Sequence, residues 1–164
     1  METVALFLQI EAKRHPADSR DFDLFGRSSF NRYYYAVYLE VRSMLGGLNS
    51  TWATVAHKSI PDLLTGQVLA RIRQLKARAT RLRDNRATDI CRRGAASARE
   101  LATLMKGANA VRVAADYHPE IAVVLDDRGR FQLNLMSVTI AHEWTERARE
   151  HGRRIRRAWD LSDD

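Results

Sequence analysis

A chain of 164 residues is long enough for one folded domain with its own core, and two full domains would be cramped within it. Hydrophobic residues make up 45% and charged residues 29%, with only 8 glycines and 3 prolines, which excludes a disordered or fibrous chain. The single cysteine excludes an internal disulfide and no apolar run has membrane-spanning length, so we expect one cytoplasmic domain over residues 1–164, with no membrane contact.

Positive charge is concentrated in one part of the sequence. The formal net charge is +7, and residues 71–99 hold ten cationic side chains against only Asp84 and Asp89. A concentrated basic surface attracts phosphate backbones, so this segment predicts binding of RNA or another polyanion. The alternative is a solvated helix face without a ligand. The candidate RNA-binding cations are Arg78, Arg81 and Arg86.

Helical periodicity organises the first third of the chain. Helical spacing of apolar residues predicts a first amphipathic helix over residues 3–14. We expect it to end there because Pro16 pushes the residue before it out of helical geometry. The polar stretch 17–27 is expected to be a connection. A second helix is predicted over residues 28–45, ended by the following pair of glycines. Its core stripe has alternating spacings of four and three: Phe30, Tyr34, Val37, Val41, Met44 and Leu48.

The rest of the chain predicts further helices and one strand-like segment. A helix start is expected at residues 59–62, where a proline and an acid suit the first turn. Further helices are predicted from Gly66 to Leu82, over 88–117 and over 137–159. Two apolar runs around a glycine-containing turn predict a short β-hairpin near residues 121–133. The predicted fold is therefore an all-α, antiparallel helical bundle with one short hairpin.

The sequence lacks the motifs of several common types of functional site. The sequence has no glycine-rich phosphate loop, no cysteine or histidine pair at metal-ligand spacing, and no Gly-x-Ser-x-Gly elbow. We therefore expect no metal and no cofactor. His15 and His151 lie among charged residues and are expected at the surface, whereas His142 lies beside a core stripe and is expected to be structural.

Three segments carry a family resemblance. They read SSFNRYYYAVY at residues 28–38, AHK at residues 56–58 and RVAADYH at residues 112–118. In this order and spacing they resemble the HEPN superfamily, and most closely its bacterial members with R-x-YYA in one helix, HK in a loop and R-x-x-ADY at the end of a later helix. The resemblance covers about residues 25–158.

The resemblance implies a helical bundle that pairs into a homodimer and, in active members, a metal-independent ribonuclease. Those enzymes carry an Arg and a His separated by four to six residues, which Arg112 and His118 match here. Histidine suits proton abstraction from the ribose 2′-hydroxyl, and the arginine fork matches phosphate oxygens. The resemblance also implies a set of neighbouring substrate contacts: Arg32, Tyr35, His57, Asp116 and Tyr117.

Alternatives remain open for these residues. Active members usually have a polar residue after the arginine, where this chain has Val113, and the ADY members often have an acid at the position of His118. Arg112 also fits an ion pair with Asp116 one turn on. The alternative for His57 is a loop histidine that caps a helix or faces water.

The sequence therefore leaves three hypotheses for the function. The first is an RNA endonuclease that leaves 2′,3′-cyclic phosphate ends, the toxin or effector of a bacterial toxin–antitoxin or phage-defence system. The second is a non-catalytic HEPN module that binds a nucleotide, RNA or a partner protein, such as a nucleotidyltransferase antitoxin. The third is a helical dimerisation domain without a role in nucleic-acid chemistry.

Overall fold

The computed structural model describes residues 1–162 and is built mainly from helices. The helices are α1 (Glu2–Ala12), α2 (Arg20–Leu48), α3 (Ile60–Leu63), α4 (Leu69–Arg81), α5 (Asn85–Tyr117) and α6 (Val138–Trp159). A π-helical turn, Leu64–Val68, leads from α3 into α4. The prediction of an all-α bundle is confirmed.

A small antiparallel sheet precedes α6. Its strands are β1 (Val124–Leu125), β2 (Phe131–Leu133) and β3 (Met136–Ser137), hydrogen-bonded in the order β1-β2-β3. The turn between β1 and β2 is closed by the Asp126 carboxylate, which accepts the backbone N–H of Arg130 at 2.9 Å, and by Gly129 at φ 68°. The predicted hairpin is confirmed, and a third strand extends it.

The start of α2 differs from the prediction. The helix begins at Arg20, inside the stretch predicted as a connection, and Ser19 Oγ accepts the N–H of Phe22 at 3.1 Å. A serine that receives this hydrogen bond is a favoured N-cap, and the acids Asp21 and Asp23 suit the first turn. At its other end α2 runs through both glycines to Leu48, so the glycine pair does not end the helix at residue 45.

The α4–α5 junction also differs from the prediction. Leu82, predicted in the core stripe, is 69% exposed just beyond the end of α4. The next residue, Arg83, takes the left-handed conformation with φ 57°, which turns the chain out of the helix. Asp84 then accepts the N–H of Ala87 at 2.8 Å, so α5 begins at Asn85, three residues earlier than predicted.

The contacts divide the chain into two units, and α2, α5 and α6 supply residues to both. The prediction of one domain over residues 1–164 stays a prediction. The first unit comprises residues 1–39 and 107–145. In its core the ring of Phe22 stacks on Phe131 with centroids 5.0 Å apart. The buried Tyr33 ring meets the exposed His142 edge-on at 5.6 Å.

Helix α1 of the first unit forms as predicted, but most of its large apolar side chains are not buried, as an amphipathic helix would require. Its buried residues are Ala5 and Ala12. Leu8 is half-buried, and the other four larger apolar side chains of the helix are 45–62% exposed: Val4, Leu6, Phe7 and Ile10. The small alanines therefore provide the packed side of this helix.

The second unit comprises residues 40–106 and residues from 146 onward. A Cβ added at Gly94 would lie 2.5 Å from the Cβ of Ala158, so this glycine lets α5 and α6 approach closely. Cys91 is fully buried, and this burial raises the pKa of its thiol. The largest apolar side chains of this core include Leu45, Ile60, Leu64, Ile72, Leu101 and Ile155.

No helix within residues 1–162 combines the length and the apolar character needed to cross a membrane.

His151 is buried in the second unit at 6% exposure, so the prediction of a surface histidine is wrong. Its Nε2 lies 3.6 Å from Glu100 Oε2, and its Nδ1 has no hydrogen-bond partner among residues 1–162. Burial lowers the pKa of His151; the charge of Glu100 opposes this shift, and the charges of Arg154 and Arg147 add to it.

The buried histidine predicts a pH dependence of stability. The pKa of His151 is lower in the folded than in the unfolded chain. The contribution of His151 to the free energy of unfolding is therefore complete above the unfolded pKa of about 6.5, and it declines as pH falls towards the folded pKa. We expect the His151→Gln variant to show a shallower fall in thermal midpoint between pH 7 and pH 5. The control His142→Gln should keep the wild-type slope. Equal slopes in wild type and His151→Gln would contradict this assignment.

Candidate functional site

The sequence motif that ends in His118 lies at the carboxyl end of α5, in the first unit. The helix ends at Tyr117, and the backbone N–H of His118 still donates to the carbonyl of Ala114 at 3.3 Å. Pro119 follows directly and cannot continue the helical hydrogen bonds. The side chains of the motif are thus presented from the last turn of a helix and the first residue beyond it.

Arg112 forms the ion pair that its spacing predicted. Its Nε lies 2.8 Å from Asp116 Oδ2, with the two side chains 22% and 24% exposed. The approach does not give a hydrogen bond at Nε, so the contact is electrostatic. The guanidinium carbon also lies 5.1 Å from the centroid of the Tyr117 ring, within range of a cation–π interaction. Arg112 is therefore held between an acid and an aromatic face.

The surroundings of Arg112 also keep it charged. Burial by itself lowers the pKa of Arg112, but the hydrogen bond with Tyr117 and the charge of Asp116 outweigh burial and raise the pKa above its ordinary value. Asp116 is held in turn by α2, because its Oδ1 accepts a hydrogen bond from the side-chain amide of Asn31. A permanent positive charge is thus fixed at the end of α5.

His118 is paired with an acid that the sequence reasoning missed. Its Nδ1 lies 2.8 Å from Glu120 Oε1, and its side chain is 47% exposed. The Glu120 backbone N–H and this contact with His118 lower the pKa of the Glu120 carboxyl. A carboxylate at Nδ1 favours the tautomer that carries its proton there, which leaves Nε2 as a proton acceptor. The spacing H-P-E was the available signal for this pair.

Arg27 is the second residue that sequence reasoning missed. It is 8% exposed and reaches from α2 to the chain around His118. Its Nη1 donates to the carbonyls of Ala114 at 3.0 Å and His118 at 3.1 Å, and its Nη2 donates to Pro119 at 3.1 Å. Nη2 also donates to the carbonyl of Ile121. One guanidinium therefore satisfies carbonyls at the end of α5 that the helix leaves without partners.

Asp23 completes this connection. Its Oδ2 pairs with Arg27 Nε, and its Oδ1 accepts the backbone N–H of Val123 at 2.8 Å. Because Asp23 and Arg27 are four residues apart, both extend from the same face of α2. The pair fixes residues 114–123, and with them His118. Its D-x-x-x-R spacing was present in the sequence, inside the stretch predicted as a connection.

The tyrosine-rich motif of α2 lies in electrostatic reach of Arg112. Burial raises the pKa of Tyr34 to about 12, and the charge of Arg112 opposes this shift. Tyr35 in turn adds to the raised pKa of Arg112. The guanidinium of Arg32 lies 6.0 Å from the Tyr35 ring centroid. Arg112, Asp116 and Tyr117 thus lie in contact, Arg32 lies near the Tyr35 ring, and Tyr35 is within electrostatic reach of Arg112.

The predicted catalytic pair lies at one end of α5, but its members have different partners. Within residues 1–162, no hydrogen bond, ion pair or ring contact joins Arg112 to His118. Residues six apart on an ideal helix differ by about 600° of rotation, which places their side chains on different faces. Arg112 therefore pairs with Asp116, and His118 pairs separately with Glu120. The homodimer implied by the resemblance stays a prediction.

The other predicted contacts belong to the second unit. His57 begins a short 3-10 helix, His57–Ser59, and is half-buried. Arg78 and Arg81 are exposed in the last turn of α4, and Arg86 is exposed in the first turn of α5. Their predicted role as an RNA-binding surface stays a prediction.

Residues 1–162 contain no group of three His, Cys, Asp or Glu side chains arranged to hold a metal ion. Comparisons of the chain with protein-family models, with curated proteins and with solved structures found no match. The HEPN interpretation therefore depends on the three sequence motifs.

Proposed function

We propose that this chain is a HEPN-type endoribonuclease that cuts RNA without a metal ion, with His118 as the base and Arg112 as the phosphate-binding cation. The pairing of His118 with Glu120 is the observation that supports this proposal most. A half-exposed imidazole with a carboxylate at Nδ1 is oriented to accept a proton at Nε2.

The proposed reaction is an intramolecular transesterification. His118 removes the proton of a ribose 2′-hydroxyl, and the 2′-oxygen forms a bond to the adjacent phosphorus. The bond from phosphorus to the 5′-oxygen breaks, and the leaving oxygen takes up a proton from solvent or from a protonated imidazole. The products are a 2′,3′-cyclic phosphate and a 5′-hydroxyl, with no oxidant or co-reactant required.

Arg112 suits the stabilisation of the phosphate in this reaction. A guanidinium has five N–H donors in a planar fork. The ion pair with Asp116 involves only the Nε side of that fork. Donors therefore remain for the phosphate oxygens, where charge develops as the 2′-oxygen attacks. The exposed ring of Tyr117 lies beside Arg112 and offers an aromatic surface on which an RNA base can stack.

The wild-type chain provides the test of this proposal. Incubation with single-stranded RNAs in EDTA should give products with cyclic phosphate and 5′-hydroxyl ends, identified by end-labelling and mass spectrometry. Loss of cleavage in EDTA, or 3′-hydroxyl products, would contradict the proposed chemistry. A role as toxin or effector predicts in addition that induced expression arrests bacterial growth, and that the folded His118→Ala variant does not.

A non-catalytic module is the second candidate, and one observation favours it. Arg112 is already paired with Asp116, and Val113 follows it where active HEPN proteins have a polar residue. In such a module the same arginine and tyrosines would bind a nucleotide, RNA or a partner protein, such as a nucleotidyltransferase, without turnover. Tight RNA binding by a chain that cleaves none of the RNAs tested would favour this candidate.

The exposed arginines around the α4–α5 junction predict salt-dependent RNA binding. Replacing Arg78, Arg81 and Arg86 together with glutamine should flatten the dependence of log affinity on log salt by about two to three units, since each phosphate contact releases counterions. Fluorescence anisotropy between 50 and 200 mM salt measures this slope. An unchanged slope in the triple variant would show that these side chains form a solvated face.

A further inference from the structure

The second unit contains an open pocket of about 670 Å3 whose lining is dominated by arginines. The charged side chains come from the start of α5, the end of α6 and the turn that follows α6. They are Arg86, Arg93, Arg153, Arg156, Arg157 and Asp160. Five arginines thus line one concavity together with a single acid, and two of them, Arg153 and Arg156, also line a second concavity beside Glu40. The volume lies within the usual range of small-molecule sites.

Three of the five lining arginines form no ion pair with any acid among residues 1–162. Arg93 pairs with Asp89, and Arg153 Nη2 lies 3.6 Å from Glu146 Oε1. Within residues 1–162, no ion pair is formed by the remaining three lining arginines: Arg86, Arg156 and Arg157. Like charges gathered without counter-charges repel one another, so an anion in the pocket would relieve that repulsion.

The position of Arg86 indicates a role other than stabilising its helix. It lies in the first turn of α5, at the positive end of the helix dipole, where a cation is unfavourable. By contrast, Arg156 and Arg157 lie in the last turn of α6, where the dipole favours cations. The pocket therefore includes an arginine that its own helix disfavours, together with two that the fold tolerates easily.

We propose that this pocket binds a compact polyanion made of linked phosphate groups. Guanidinium forks match phosphate oxygens, and linked phosphates place several negative charges within a few ångströms of one another. The three arginines without an ion pair come from two helices, and linked phosphate groups can reach more of them at once than a single phosphate can. This binding site does not depend on the proposed cleavage by Arg112 and His118, although it shares Arg86 with the predicted RNA-binding arginines.

A smaller pocket next to it suggests where an attached uncharged group would lie. It has a volume of about 210 Å3 and shares Leu161 with the arginine pocket. Its lining combines apolar and charged residues: Leu75, Ala79, Leu82, Arg78 and Asp84. The phosphates can therefore come from free polyphosphate or from a nucleoside polyphosphate, and the two sources differ in what they place in this smaller pocket.

Calorimetric titration of the full chain with inorganic tripolyphosphate at low salt tests the proposal. The double variant Arg86→Gln with Arg157→Gln should weaken binding at least about tenfold, because two charge-assisted contacts to phosphate are lost. The control is Arg71→Gln with Arg73→Gln, two exposed arginines of α4 outside the pocket. This control removes the same charge and should weaken binding by no more than about twofold, the scale of the long-range electrostatic term.

The relative affinities for these ligands distinguish the source of the phosphates. Tighter binding of a nucleoside triphosphate than of tripolyphosphate would support the proposal with a nucleoside as the carrier, and equal binding would support it with free polyphosphate. Equal weakening by the two double variants would overturn it in favour of general electrostatic attraction. Absence of tripolyphosphate binding would also overturn it, as would a clear preference for single-stranded RNA. Thermal denaturation verifies that both double variants fold.

Discussion

Replacing either His118 or Arg112 with alanine should slow RNA cleavage at least about a hundredfold, the usual loss when a general base or a charge stabiliser is removed. Without the imidazole, the 2′-hydroxyl has no acceptor for its proton. Without the guanidinium, the charge that develops on the phosphate has no fixed counter-charge. Single-turnover kinetics with a labelled RNA measure both rates.

The conservative variants separate the catalytic interpretation from a structural one. Arg112→Lys keeps a positive charge beside Asp116 but loses the planar fork, so we expect most of the activity to be lost while the chain stays folded. Glu120→Gln removes the charge that orients His118 and should cost less than His118→Ala, since in the proposed reaction Glu120 acts through His118. If Arg112 were only structural, Arg112→Lys would cut at the wild-type rate.

The matched control is His142→Ala, an exposed histidine of the first unit. It should leave cleavage unchanged, and circular dichroism confirms the folding of each variant. Light scattering on the same samples compares the active species with the 18.8 kDa mass of one chain. A folded His118→Ala protein that cuts at the wild-type rate would eliminate the proposed base.

Replacing Arg27 with alanine should lower the free energy of unfolding by about 2–4 kcal/mol, less than for a fully buried ion pair because the Asp23 side chain is 29% exposed. The change leaves Asp23 without its cation and leaves the carbonyls of Ala114, His118 and Pro119 without their donor. Urea denaturation measures the loss. Arg27→Lys should recover only part of it, because one ammonium cannot reach all of these carbonyls.

The control for this prediction is Arg20→Ala. Arg20 is exposed on the same helix, and a surface substitution of this kind usually changes stability by no more than about 0.5 kcal/mol. An Arg27→Ala chain as stable as the control would mean that water replaces the guanidinium at little cost. In that case Arg27 would not hold the residues around His118.

Most of the helices were predictable because their apolar side chains recur at helical spacing. The stripe through Phe30, Tyr34 and Val37 is buried as expected. The start of α2 was missed because the residues after Ser19 are mostly polar, although the cap and the two first-turn acids were present in the sequence. Leu82 was assigned to the core on spacing alone, yet α4 ends one residue before it.

The candidate site was predictable only where its partners are close in sequence. The pair of Arg112 with Asp116 follows from a spacing of four, and that of His118 with Glu120 from a spacing of two. Arg27 could not be assigned in the same way, because the carbonyls that it binds lie 87 to 94 residues further along the chain and carry no sequence signal. Contacts of that kind depend on the tertiary fold.

Cys91, the only cysteine in the chain, is fully buried on α5 in the second unit. A thiol reagent reacts with the thiolate and needs access to the sulfur, and the raised pKa of this thiol makes the thiolate still scarcer. Labelling of this one atom therefore reports how often the second unit opens to solvent. Its rate would follow that opening in the native chain, without any engineered probe.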